Sequence, residues 1–281
     1  MAKSKTKSAF VCEDCGAEHS KWQGQCSVCS AWNSLSRVNI TPIANAAVGY
    51  AGVTAQVKKL SEIEALETPR IASGFKELDR VLGGGFVPGS VVLIGGDPGA
   101  GKSTLLLQAC TTLAQSKGVL YVTGEESLQQ VGMRAKRLNL PEDNLKMLAE
   151  TNVEQICKAA QQHGPELLVV DSIQVMHSAD VASAPGSVSQ VRECAAYLIQ
   201  YAKQTDTVLF LVGHVTKDGN LAGPKVLEHM IDCFIMLEGG NDSKYRTLRG
   251  QKNRFGAVNE LGVFAMTEQG LKEVKNPSAI F

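Results

Sequence analysis

Eight consecutive residues constrain this chain more than any others: Gly96-Asp97-Pro98-Gly99-Ala100-Gly101-Lys102-Ser103, followed by Thr104. They fit the pattern G-x-x-x-x-G-K-[ST] and follow the apolar run Val91-Val92-Leu93-Ile94. Leu105, Leu106, Ala109, Cys110 and Leu113 come next, at a spacing that puts them on one helix face. Strand, glycine loop and helix in that order form a phosphate cradle. The glycines let backbone N–H groups close around an anion, and the helix adds its positive dipole end. Lys102 is expected to reach the β- and γ-phosphates of ATP, with the Ser103 hydroxyl on Mg²⁺.

The remainder of the chain supplies a frame for that loop. After it, the sequence alternates: strand Val119–Val122, helix Leu128–Leu138, strand Lys146–Ala149, helix Val153–Gln162, strand Leu167–Val170. A longer helix follows, with Val188, Val191, Ala195, Leu198, Ile199 and Ala202 on one face, and then strand Val208–Val212. This alternation predicts an α/β fold whose mostly parallel sheet is covered by helices on both faces. From Cys233 onward the segments read as strands and turns, predicting an antiparallel extension at one edge. Ser73 is expected to cap a short helix ending at Gly83-Gly84-Gly85.

Four of the eight cysteines, Cys12, Cys15, Cys26 and Cys29, form C-x2-C-x10-C-x2-C. Two knuckles this close suit a tetrahedral site of four thiolates, and Zn²⁺ is the expected metal. The competing readings are two disulfides or an iron site, and a reducing compartment argues against disulfides. About 30 residues build no core of their own, so the metal is expected to hold the module together. Cys110, Cys157, Cys194 and Cys233 stand singly among apolar residues and read as packing. The expected division is a zinc module over 1–35, a linker over 36–69 and an ATPase domain over 70–281.

Charge excludes little. The 28 basic and 28 acidic residues cancel, so any nucleic-acid surface must be local. No apolar h-region follows the basic N-terminus, and no apolar run approaches the roughly 18 residues of a membrane span. A cytoplasmic location without membrane contact is expected.

Further residues carry candidate chemistry. Leu167-Leu168-Val169-Val170-Asp171 is an apolar strand ending in a carboxylate suited to orienting Mg²⁺ near Ser103. Thr123-Gly124-Glu125-Glu126-Ser127 closes another strand at the expected ligand crevice. Glu125 is assigned as the group that activates water, and Glu126 as a supporting carboxylate or an acid at a helix start. His214 reads either as a γ-phosphate sensor or as a structural histidine. Lys217 and Lys225 lie in a glycine-bearing loop, and Ala182–Ser187 forms another. Both loops suit a phosphate backbone, or are plain surface. Lys252-Asn253-Arg254-Phe255-Gly256 places two cations at i, i+2, which would point the same way from a strand. They read as phosphate ligands acting on a neighbouring subunit, or as an exposed basic strand end.

Together, the Cys12–Cys29 knuckles, Ser73–Gly85, the Gly96–Thr104 loop, Gly124–Ser127, Val170–Asp171 and the KNRFG pentapeptide resemble the RadA (Sms) family. These are bacterial DNA-repair proteins related to RecA and to DnaB-type helicases. The resemblance implies a RecA-like core, a homo-hexameric ring and ATP-driven motion on single-stranded and branched DNA. It also implies a role in recombinational repair beside the recombinase RecA, and Lys252 and Arg254 acting between subunits. Members of the family carry a C-terminal domain resembling that of Lon protease. Asn276–Phe281 looks like the junction into it, so a weak oligomer or monomer is expected if that domain assembles the ring. Two other readings are a KaiC-like ATPase acting on proteins and a nucleotide-dependent DNA-binding scaffold with little turnover. Stimulation of hydrolysis by single-stranded DNA separates the first; loss of function with binding retained in Glu125→Gln excludes the second.

Overall fold

The computed structural model describes residues 7–12, 14, 17–40, 59, 69–213, 226–239 and 243–276. Near the N-terminus, β1 (Lys7–Cys12), β2 (Glu18–His19) and β3 (Leu35–Ile40) form a three-stranded antiparallel sheet with β1 in the middle. β3 runs past the expected module boundary at residue 35, because its residues Leu35–Ile40 pair one for one with Cys12–Lys7. The first part of the expected linker is therefore strand; residues 41–58 and 60–68 lie outside the described set.

Nine strands form the main sheet, in the order β12-β11-β10-β9-β4-β8-β7-β5-β6. Six are parallel: β9 (Cys233–Glu238) and the five that frame the site, β4 (Val91–Gly95), β5 (Val119–Thr123), β6 (Lys146–Ala149), β7 (Leu167–Asp171) and β8 (Val208–Val212). β4, β5 and β8 are buried along their whole length, as continuous apolar strands should be when helices cover both faces. The two-residue side-chain period splits them cleanly. Val91, Leu93, Leu120, Val122, Leu168, Val170, Leu209 and Leu211 pack on one face, against α4 (Val153–His163) and α5 (Val188–Thr205). Val92, Ile94, Val119, Tyr121, Leu167, Val169, Phe210 and Val212 pack on the other, against α1 (Lys76–Leu82) and α2 (Lys102–Leu113).

The antiparallel extension consists of β10 (Tyr245–Asn253), β11 (Leu261–Thr267) and β12 (Gly270–Glu273). β9 (Cys233–Glu238) departs from expectation: it joins β4 in parallel. The chain reaches it through α6 (Val226–Met230), which returns it to the starting end of β4. The antiparallel part thus begins at β10.

Three helix starts follow side-chain capping chemistry, whereas α2 begins at Gly101 and α1 at Phe75 without a side-chain cap. Ser127 caps α3 (Leu128–Arg137) in a reciprocal box with Gln130, Asn152 caps α4 and Ser187 caps α5. α1 departs from expectation. Its N-cap is Phe75, with no side-chain cap, and not Ser73 as the sequence suggested. Ser73 is drawn away: its N–H donates to Asp79 Oδ1 at 2.8 Å and its hydroxyl turns onto the Phe75 backbone.

From Leu105 to Thr111 every residue of α2 is buried, beyond the single face its spacing predicts. Leu105, Leu106, Ala109, Cys110 and Leu113 join the sheet-facing core, whereas Leu107 packs with Val131 and Ala135 of α3. Gln108 is also buried. Its side-chain amide accepts from Leu271 N at 2.9 Å and donates to Leu271 O at 3.2 Å, fastening α2 to β12.

Candidate functional site

β4 ends at Gly95, and the glycine loop turns from it into α2. Two positions in the turn admit only glycine. Gly96 has φ +147°, and a Cβ there would lie 2.3 Å from the Leu237 carbonyl oxygen. Gly101, the N-cap of α2, has φ +105° and would meet Met266 Cε at 2.8 Å. Asp97, Pro98 and Gly99 form the exposed crest, while Ala100 is buried beneath them. Ser103 and Thr104 open α2, each partly exposed at its first turn.

Lys102 is buried at 5% exposure and folds back over the loop. Its Nζ donates to Gly96 O at 2.5 Å and to Asp97 O at 2.9 Å. Burial lowers its pKa; Asp171, Asp97 and Glu125 oppose that shift by attraction. The lysine therefore lies within electrostatic reach of all three carboxylates, at the C-terminal ends of β4, β7 and β5.

The convergence follows from strand order. β4, β8, β7 and β5 are consecutive neighbours and parallel, so their C-terminal ends open on the same crevice. Asp171 ends β7 directly beside Thr123 of β5. Its Oδ2 accepts a 2.6 Å hydrogen bond from Tyr121 OH. Tyr121 is buried, and its phenol is held far toward the neutral, donating form by burial first and then by Asp171. The Asp171–Ser172 peptide is cis.

The two adjacent glutamates part company. Glu126 pairs with Arg134 of α3, and its backbone is tied to the Thr123 hydroxyl. Since Ser127 is the cap, Glu126 stands just before the helix as an ion-paired brace. Glu125 Oε1 instead accepts from the Ser172 hydroxyl.

Sequence reasoning missed Arg246. It lies on β10 at 5% exposure, and its Nε donates to Ala100 O at 3.0 Å. Its Nη1 reaches the carbonyls of Ser243 and Tyr245. A buried guanidinium thus braces the underside of the phosphate loop from the antiparallel extension. An arginine on an otherwise alternating strand was the only available signal.

Lys252 and Arg254 sit at the other end of the sheet. β10 pairs Asn253 with Cys233, the residue beside Val92 near the start of β4. The five residues of β4 separate that end from the loop by about 16 Å. The i, i+2 alternation is not what aligns the two cations: the register shifts between Gly250 and Lys252, and Arg254 lies beyond the strand. They are aligned by a shared partner segment. Lys252 Nζ donates to the carbonyls of Glu228 and Ile231, and Arg254 Nη1 to Asp232 Oδ1 at 3.0 Å. Buried Asp232 also holds Lys203 Nζ and Val91 N. Burial lowers the Lys252 pKa, and Arg254 adds to the shift. His214, Lys217 and Lys225 lie outside the described residues. In the other loop, buried Gln190 bonds the carbonyls of Val181 and Ser183.

The sulfurs of Cys12, Cys26 and Cys29 lie within 4.8 Å of one another; Cys15 is outside the described residues. Cys12 and Cys29 Sγ are 3.6 Å apart, close to the ~3.8 Å edge of a tetrahedral thiolate site with 2.3 Å metal–sulfur bonds. Val28 N donates to Cys26 Sγ at 3.4 Å, and His19 Nε2 approaches the same sulfur at 3.4 Å. The donor set fits a thiolate-bound metal.

Residues 57–220, which hold the glycine loop and both carboxylates, match the AAA domain family. The chain belongs to that family. Residues 10–37 match the rubredoxin metal binding domain. The whole sequence is similar to curated proteins named DNA repair protein RadA. It is 66% identical over 286 residues to the Haemophilus influenzae protein and 64% over 288 residues to that of Escherichia coli K12. Identity to the Bacillus subtilis protein is 50% over 283 residues. The alignments cover 100%, 100% and 99% of this chain and 62% of each relative. The chain thus spans under two thirds of the length of these RadA proteins. Among the described residues, no helix is long and apolar enough to cross a membrane.

Proposed function

We propose that this chain is the ATP-hydrolysing and DNA-engaging part of a recombinational repair protein. In this reading it moves along single-stranded DNA and drives branch migration. The observation that carries the reading is the convergence of Lys102, Asp171 and Glu125 at neighbouring strand ends. The similarity to proteins named DNA repair protein RadA supports the DNA side of the reading.

The backbone amides from Gly96 to Thr104 and the Lys102 ammonium hold the phosphates. Ser103 and Asp171 hold Mg²⁺, which when bound neutralises phosphate charge and orients the γ-phosphoryl group. Tyr121 fixes one Asp171 oxygen by donating to it. Glu125 accepts a proton from the attacking water. As the water oxygen bonds to phosphorus, the bond to the bridging oxygen breaks, giving ADP and phosphate. Lys252 and Arg254 lie too far from their own loop to take part there, and they supply charge to a neighbour's transition state in a homo-hexamer. Zn²⁺ on Cys12, Cys15, Cys26 and Cys29 holds the N-terminal sheet. Lys217 and Lys225 contact the DNA backbone, the recombinase RecA is the partner, and the cytoplasm is the location.

ATP turnover measured with and without single-stranded DNA tests the reading. Stimulation that declines with salt is expected. A rate indifferent to DNA would overturn the motor reading and favour a KaiC-like ATPase acting on protein.

A further inference from the structure

Ser172 follows Asp171 directly, is 0% exposed and donates its hydroxyl hydrogen to Glu125 Oε1. We infer that Ser172 is a positioning residue that sets the working orientation of Glu125. This rests on the reading of Glu125 as the water-activating carboxylate.

Three features carry it. First, the backbone keeps the two residues level. β5 and β7 pair Thr123 with Asp171, and Gly124 N donates to Asp171 O at 2.8 Å. Second, the turn holding Glu125 is pressed onto the segment after Ser172. A Cβ on Gly124 would meet Val175 Cγ2 at 2.6 Å and Met176 Cε at 2.7 Å. Third, the bond is directional: a serine hydroxyl donates its single hydrogen along one line and so aims the carboxylate that accepts it.

Aim matters more here than affinity. A base must stand within hydrogen-bond reach of the water proton, and a misplacement of about 1 Å costs on the order of a hundredfold in rate. The phosphate-binding groups lie on the loop and α2, so loss of the Ser172 hydroxyl leaves nucleotide binding intact. Consecutive residues of one strand end thereby serve two carboxylates: Asp171 supplies one, and Ser172 orients the other.

Steady-state ATP turnover of the full chain with Ser172→Ala tests this, alongside Glu125→Gln and the double variant. Ser172→Ala is expected to lower kcat by about tenfold or more with KM for ATP within about twofold. In the Glu125→Gln background it should lower the residual rate no further. Ser172→Cys preserves the volume with a weaker donor and should fall between serine and alanine, which also covers any folding failure of the alanine variant. Unchanged kcat in Ser172→Ala, a matching loss through KM, or the same fold-loss on both backgrounds overturns the inference while leaving Glu125 in place. Full turnover in Glu125→Gln would instead remove the Glu125 reading itself, and this inference with it.

Discussion

Arg246 Nε donates to the carbonyl oxygen of Ala100 at 3.0 Å, joining β10 to the floor of the phosphate loop across 146 residues of chain. The contact is buried and charge-assisted, and the same guanidinium serves the Ser243 and Tyr245 carbonyls. Arg246→Ala is expected to destabilise the domain by about 2–3 kcal/mol, since it leaves the buried Ala100 carbonyl unpaired. ATP affinity should fall with it. Arg246→Lys should restore little, because a single ammonium does not reproduce the planar fork. Chemical denaturation and nucleotide titration of both variants check this. Affinity unchanged in Arg246→Ala would mean that the brace does not shape the loop.

Lys102→Ala should abolish hydrolysis, by a hundredfold or more on the order seen when a transition-state charge is lost, while the fold survives. Truncating the side chain also exposes the Gly96 and Asp97 carbonyls that the ammonium now occupies. Their release should leave the loop able to turn but unable to stabilise the γ-phosphoryl group. Turnover and a far-ultraviolet circular dichroism melt are the measurements. Normal turnover would refute the phosphate-loop assignment.

Metal removal should separate the two ends of the chain. A chelator should unfold the β1–β3 sheet and leave the nine-stranded domain with its melting transition, because no proposed ligand lies beyond Cys29. Alkylation reads this out. Burial pushes the thiols of Cys157, Cys194 and Cys233 up to about 12 and that of Cys110 higher still, so these remain unreactive thiols near pH 8. Iodoacetamide should therefore label the four ribbon cysteines after chelation and spare the other four. Labelling that does not depend on the chelator would contradict metal ligation.

Arg254→Ala should bind ATP normally and hydrolyse it poorly if its charge is delivered to a neighbour. Mixed with Lys102→Ala chains, it should regain activity at interfaces that pair an intact loop with an intact cation. The mixing ratio is varied after co-assembly has been verified by mass. Absence of rescue in verified mixed assemblies rules out the in-trans role.

The parallel half of the fold was legible because its signals are local. Lys146–Ala149 and the apolar run Val208–Val212 form strands with the expected bounds. The loop, Asp171 and Glu125 were legible for the same reason: each stands where a buried strand stops. What escaped depends on distant partners. Arg246 and Gln108 take their roles from backbone 146 and 163 residues away. Ser73 fails as a cap because Asp79 claims its N–H, and β9 runs parallel because α6 returns the chain first. The shared partner of Lys252 and Arg254 is likewise a fact of packing that no spacing encodes.

The bond between Gln108 and Leu271 has a consequence for how the molecule behaves in a crowd. β12 is the last strand of its sheet, and an outermost strand offers unsatisfied N–H and C=O groups as a template on which another chain can add. At Leu271 both groups are already taken, by one side-chain amide that imitates the next strand for a single residue. The same contact that fastens α2 therefore works as a stopper at the β12 edge: it interrupts the row where an incoming strand would need continuity.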